Sequence, residues 1–159
     1  MVERVRILIV DDDESLRKTL KVILRAEGWH VDTAENGKQA VEKTNRNFYN
    51  VALIDICLPD MNGTELLAKM KETTPKMRKI IITGNPSLQN AVEALNSEAN
   101  VYLQKPFDIK KAIGTIREQL SKQEAEKKFS QDKVVEFIET RVKEIVPQKS
   151  ETTRETPKD

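Results

Sequence analysis

Two short stretches of this chain are apolar on both faces of any strand they form. Val5-Arg6-Ile7-Leu8-Ile9-Val10 is β-branched and nearly continuous, and Val51-Ala52-Leu53-Ile54 has no polar residue. A strand with one wet face alternates apolar and polar residues. A run without alternation needs cover on both sides, the condition of a parallel sheet held between helices. Between such runs the apolar spacing changes to that of a helix. Leu16, Leu20, Ile23 and Leu24 follow the first run, with Gly28 placed as a C-terminal stop.

The same alternation continues along the chain. Trp29 to Ala34 reads as a second strand and Gly37 to Thr44 as a short helix. Val51 to Asp55 is the third strand, Leu58 to Gly63 a loop by its turn residues, and Thr64 to Glu72 a helix with Leu66, Leu67 and Met70 on its apolar face. Lys79 to Thr83 and Val101 to Gln104 give two more strands, with a helix over Ser87 to Leu95 between them. Ile109, Ile113, Ile116 and Leu120 mark a fifth helix from Asp108. Five strands alternating with five helices predict an α/β fold with an open, doubly wound, five-stranded parallel sheet. The segment is too short for a (β/α)8 barrel, which takes about 250 residues. The unit is expected to close near residue 120.

Composition narrows the class. The 159 residues carry 27 Lys and Arg against 26 Asp and Glu, so no global field recruits nucleic acid or anionic lipid. One cysteine excludes an internal disulfide, and with one histidine it makes no zinc site. The apolar runs fall far short of the roughly 20 residues of a membrane helix, and the N-terminus shows no signal-peptide pattern. A cytoplasmic location is expected.

In an open parallel sheet, ligands sit outside the carboxyl ends of the strands. Here those ends carry Asp11, Asp12 and Asp13, then Asp55, Thr83 and Lys105. Singly, each has an ordinary explanation: Asp13 as a helix N-cap, Thr83 as a turn or cap residue, Lys105 as a surface charge. Jointly they make a constellation. Carboxylates gathered within a few ångströms repel one another unless a cation lies between them. Hard oxygen donors without a histidine cluster favour Mg²⁺. A lysine and a hydroxyl opposite such an ion suit phosphate oxygens, and Asp55 is then a carboxylate able to form an acyl phosphate.

The chain resembles a response regulator receiver domain of two-component signalling. The matching blocks are Ile7 to Asp13, Leu53 to Gly63, Ile82-Thr83-Gly84 and Tyr102 to Phe107, together spanning about residues 4–120. The resemblance implies the following roles. Asp55 is the phosphoacceptor. Asp11, Asp12, Asp55 and the backbone carbonyl of Cys57 hold Mg²⁺, with Asp12 a direct ligand and Asp11 acting mostly through water. Lys105 binds phosphate, and Lys105-Pro106 resembles the family's cis peptide. Thr83 and Tyr102 are the switch pair. Cys57 and Asn85 stand where the family varies residues to tune acyl-phosphate lifetime, and the Cys57 thiol itself is expected to be incidental.

Residues 121–159 differ in character, with 9 acidic and 9 basic residues among 39. Val135, Ile138, Val142 and Ile145 support an amphipathic helix from about Ser130 to Pro147, so 121–147 is expected as a charged helical extension and 148–159 as a disordered tail. The segment lacks the length, core and basic face of a helix-turn-helix module, so no direct nucleic-acid binding is expected. The expectation is a stand-alone response regulator that takes a phosphoryl group from a sensor histidine kinase or phosphotransfer protein. It would act on a downstream protein target or form a homodimer through residues 87–120. The alternative is a receiver module of a longer regulator. A nucleotide- or flavin-binding protein of the same fold is disfavoured: no G-x-x-x-x-G-K-[ST] or G-x-G-x-x-G turn is present.

Overall fold

The computed structural model describes residues 4–84 and 99–154. The element order is β1 (Arg6–Val10), α1 (Glu14–Ala26), β2 (His30–Ala34), α2 (Gly37–Arg46), β3 (Val51–Asp55), α3 (Gly63–Lys69), β4 (Arg78–Thr83), β5 (Val101–Gln104) and a C-terminal helix (Ile109–Arg154). The expected helix over Ser87 to Leu95, and Asn85, lie outside the described residues.

All strand pairs are parallel, in the order β2-β1-β3-β4-β5. The order reverses at β1, whose neighbours are β2 and β3, and this is where crossovers diverge to opposite faces and leave a crevice at the carboxyl ends. The two-residue strand period splits the apolar residues between those faces. Leu8, Val10, Ala52, Ile54 and Ile81 face Ala40 of α2 and Leu66 and Leu67 of α3. Ile7, Ile9, Leu53, Ile80 and Ile82 face Leu20 and Leu24 of α1 and Ala112 and Ile116 of the C-terminal helix. The doubly wound α/β architecture read from the sequence is therefore present. Each fully buried Ile or Leu contributes about 1.5–3 kcal/mol, so the two cores hold the sheet from both sides.

Local chemistry starts and stops the helices. The Asp13 side chain accepts the Leu16 N–H at the N-terminus of α1, and Gly28 ends that turn at φ 93°, a left-handed conformation that favours glycine. Asn36 and Asn62 cap α2 and α3 by accepting the N–H groups of Gln39 and Glu65. α3 ends at Lys69, three residues before the expected Glu72, because Met70 takes an extended backbone with ψ 136°.

The C-terminal helix departs from expectation. One helix runs from Ile109 to Arg154, where the spacing predicts two helices separated near residues 121–129 and an end at Pro147. Residues 121–128 read Ser-Lys-Gln-Glu-Ala-Glu-Lys-Lys, without glycine or proline, and most are strong helix formers. Loss of the apolar period there removes a packing face, not the backbone ladder. Gln119 and Gln123 are also nearly fully buried. Gln123 accepts from Asn50 Nδ2 at 2.9 Å and donates to the Asn50 and Lys76 carbonyls, so polar contacts replace apolar ones at this turn. The chain divides into two compact units, the first ending at Gln123 and the second beginning at Glu124.

Candidate functional site

Two strand ends deliver the three acids. β1 ends at Val10, so Asp11 and Asp12 emerge at the rim beside Asp55, the last residue of β3. One carboxylate oxygen from each of Asp11, Asp12 and Asp55 lies within 4.8 Å of the others. Asp11 and Asp55 are buried, whereas Asp12 is exposed. The fifth strand supplies the counter-charge. Lys105 Nζ donates to Asp11 Oδ2 at 2.9 Å and to Asp55 Oδ2 at 3.1 Å.

Backbone and side-chain contacts brace the acids and the loop that follows Asp55. Asp11 takes its backbone place through N–H donation to the Ala34 carbonyl, and its Oδ1 accepts the Asp13 N–H at 2.9 Å. Its own carbonyl accepts from Arg17 at 2.7 Å, and Arg17 also stands 3.6 Å from Glu35. Asp55 Oδ1 accepts the Cys57 N–H at 2.9 Å. The Cys57–Asn62 bridge and the Gly63 N–H on the Ile56 carbonyl close the loop that follows. At its tip Asp60 accepts the N–H groups of Gly37 and Lys38, both at 2.9 Å, and so ties the loop to the start of α2.

Electrostatics follow from this packing. Burial, joined by the Asp11 charge, pushes the Asp55 carboxyl above the usual aspartate range, against the Cys57 N–H and Lys105. Burial works against the Lys105 ammonium, but hydrogen bonds and charges from Asp11 and then Asp55 outweigh it and raise its pKa. Asp60 is held low by the Gly37 N–H, with help from that of Lys38. Three carboxylates and one ammonium leave the rim with an excess of negative charge. That excess, in hard oxygen donors with one exposed member, fits a small divalent cation.

The structure brings together Asp11, Asp12, Asp55 and Lys105. Thr83 ends β4 beside them, is buried, and its carbonyl accepts the Lys105 N–H at 2.6 Å. The Lys105–Pro106 peptide is cis. Cys57 is exposed, and its contact with Asp55 is made by the backbone. Tyr102 lies on β5 opposite Ile81, partly buried against the core, and its buried hydroxyl has no hydrogen-bond partner among the described residues. Asp13 is a helix cap. Sequence reasoning missed Arg17, Glu35 and Asp60, whose partners lie on other elements.

The family model for the response regulator receiver domain matches residues 7–117. Among curated relatives, the transcriptional regulatory protein ZraR of Klebsiella oxytoca is 41% identical over 119 residues, 75% of this chain and 27% of that protein. The response regulator ArlR of Staphylococcus saprophyticus is 36% identical over 120 residues, 74% of this chain and 53% of that protein. The chain thus spans about a quarter to a half of the length of these relatives. The CheY-like receiver domain protein of Methanospirillum hungatei matches with a TM-score of 0.75 and 44% identity, covering 78% of this chain and 99% of that one. The beryllofluoride-activated NtrC4 receiver domain dimer matches with a TM-score of 0.69 and 36% identity, covering 74% and 98%. The chain belongs to the response regulator receiver domain family.

Proposed function

We propose that this receiver takes a phosphoryl group onto Asp55 from a phosphohistidine of a sensor kinase or phosphotransfer protein. The observation that carries the reading is the Lys105 ammonium bridging Asp11 and Asp55, with Asp12 alongside. An Asp55 oxygen forms a P–O bond as the bond from phosphorus to the donor's imidazole nitrogen breaks, and the nitrogen keeps the electron pair. Asp11, Asp12, Asp55 and the Cys57 carbonyl would hold Mg²⁺, which when bound supplies positive charge to the phosphoryl oxygens. Lys105 supplies a second positive charge on the same group, and the Cys57 N–H orients the Asp55 carboxylate. The Thr83 hydroxyl donates to the arriving phosphoryl group, and Tyr102 responds by changing its exposure. The only chemistry is on the protein's own aspartate, so the product is a signal carried by a surface.

The test is incubation with Mg²⁺ and acetyl phosphate followed by intact-mass measurement. A gain of one phosphate that Asp55→Asn abolishes is expected, and labelling that persists in Asp55→Asn rejects the assignment. A second reading, as the receiver module of a longer regulator, is favoured by the fraction of its relatives that the chain spans. The size of the protein in cell extracts, detected with an antibody to residues 1–120, separates the two.

A further inference from the structure

Away from the acid rim, the most unusual surface belongs to the second unit. Phe129, Val134, Val135, Phe137, Ile138, Val142 and Ile145 are between 49% and 63% exposed along one helix. Of these, Val135, Ile138, Val142 and Ile145 share one helix face, and exposed apolar residues grouped on one face mark an interaction site. The residues fall into two groups. Lys133 lies 5.5 Å from the Phe129 ring and Arg141 lies 5.2 Å from the Phe137 ring, so each aromatic carries a cation from its own helix. Lys133 and Arg141 also approach Glu136 and Glu144, at 4.0 and 3.9 Å. Val135, Ile138, Val142 and Ile145 have no such cover among the described residues. Their spacing of three, four and three is that of a coiled-coil seam.

With Val135 and Val142 at heptad position a, Ile138 and Ile145 fall at d. Phe129 and Glu136 are then at b, Phe137 and Glu144 at c, Lys133 at f and Arg141 at g. The intrahelical pairs therefore lie off the seam, and the aliphatic line is the part left for a partner. We propose that it packs against the same line in further copies of this chain, with the helices parallel and in register.

Charge favours this occupant. Residues 124–145 hold six acidic and five basic side chains, so the helix carries no single-sign field to draw in a charged partner. In a parallel pairing a g residue faces the e residue of the next heptad on the other strand. Lys127 then meets Asp132 of a second copy, Val134 meets Glu139, and no like charges face across these rows. The antiparallel register that buries all four seam residues instead sets Glu139 against Glu139 and Arg141 against Arg141. Alignment of like charges disfavours it. The four seam residues, Val135, Ile138, Val142 and Ile145, are all β-branched, which favours three strands over two, so stoichiometry is part of the readout.

The test is sedimentation equilibrium of the full chain, without phosphodonor, across a concentration series. The weight-average mass is expected to rise at least twofold. Ile138→Gln with Val142→Gln should return it to the monomer while circular dichroism keeps its helical signal. Phe137→Ser, off the seam, should leave association intact. In a Cys57→Ser background, Ile138→Cys should cross-link to itself with a short bismaleimide. A chain that stays monomeric throughout, or association that survives the double glutamine variant, overturns the proposal. Cross-linking that requires an Ile138→Cys chain mixed with a Val142→Cys chain overturns the parallel arrangement.

Discussion

The Lys105 ammonium stands 3.1 Å from Asp55 Oδ2, at the ends of strands separated by 50 residues of chain. Asp55 is nonetheless held more protonated than an ordinary aspartate, because burial first and the Asp11 charge next outweigh the lysine and the Cys57 N–H. The sign of the consequence is fixed. A carboxyl whose folded pKa exceeds its unfolded one binds more protons folded, so stability falls as pH rises through that interval. In metal-free buffer, Asp55→Asn should therefore raise the melting temperature, and by more at about pH 7 than at about pH 4. Thermal denaturation at both pH values checks this. An equal change at both pH values contradicts it.

Lys105 carries the opposite linkage. Its folded pKa is raised, so its stabilising contribution is complete below the unfolded value and lost as pH climbs through the folded one. Lys105→Met should remove this alkaline limb. It should also leave Asp11 and Asp55 without their ammonium, at a cost of about 1–3 kcal/mol near neutrality in metal-free buffer. Denaturant titrations at neutral and alkaline pH measure both effects.

Asp60 is exposed, yet it holds two backbone N–H groups of α2. Asp60→Ala should speed hydrogen exchange at the Gly37 and Lys38 amides several-fold and loosen the 57–62 loop. It should also weaken Mg²⁺ binding relative to the parent. Asp60→Asn, which keeps one acceptor oxygen, should lie between them. Residue-resolved amide exchange reads the first effect and calorimetry the second.

Two glycines should respond in opposite directions. A Cβ on Gly63 would stand 2.8 Å from Ile56 Cα and 3.0 Å from the Asp55 carbonyl oxygen, backbone atoms that cannot step aside alone. Gly63→Ala should cost about 1–3 kcal/mol and disturb the acceptor loop. Gly114 lies inside the C-terminal helix with nothing within 4 Å of the added carbon. Gly114→Ala should stabilise by about 0.5–1 kcal/mol. Chemical denaturation of both variants measures the contrast.

Gln123→Ala removes contacts to Asn50 and the Lys76 carbonyl at a buried position. Leaving those groups without partners should cost about 1–3 kcal/mol. Gln123→Glu should be at least as damaging, since it loses the donor to both carbonyls. Denaturant unfolding followed by circular dichroism ranks the two variants.

The architecture was legible in the sequence because it rests on local periodicity. Runs such as Val51 to Ile54, apolar on every residue, require cover on both faces, and helical spacing between them supplies it. The rim residues Asp11, Asp12, Asp55, Thr83 and Lys105 followed from standing directly after or at strand ends, which a parallel sheet gathers on one edge. What the fold alone decided are pairings without a local signature. Asp60 with Gly37 is 23 residues apart, and Asn50 with Gln123 is 73 apart. Arg17 with the Asp11 carbonyl is close in sequence but depends on how α1 leaves β1. The length of the C-terminal helix belongs with these. Residues 121–128 carry no apolar face, so continuity there rests on backbone propensity and on Gln123 reaching Asn50, a contact that exists only once the strands and the helix have met. Periodicity reports which face of an element is buried. It holds no record of which polar atom on a distant element will lie opposite, because that distance is fixed only when the chain closes.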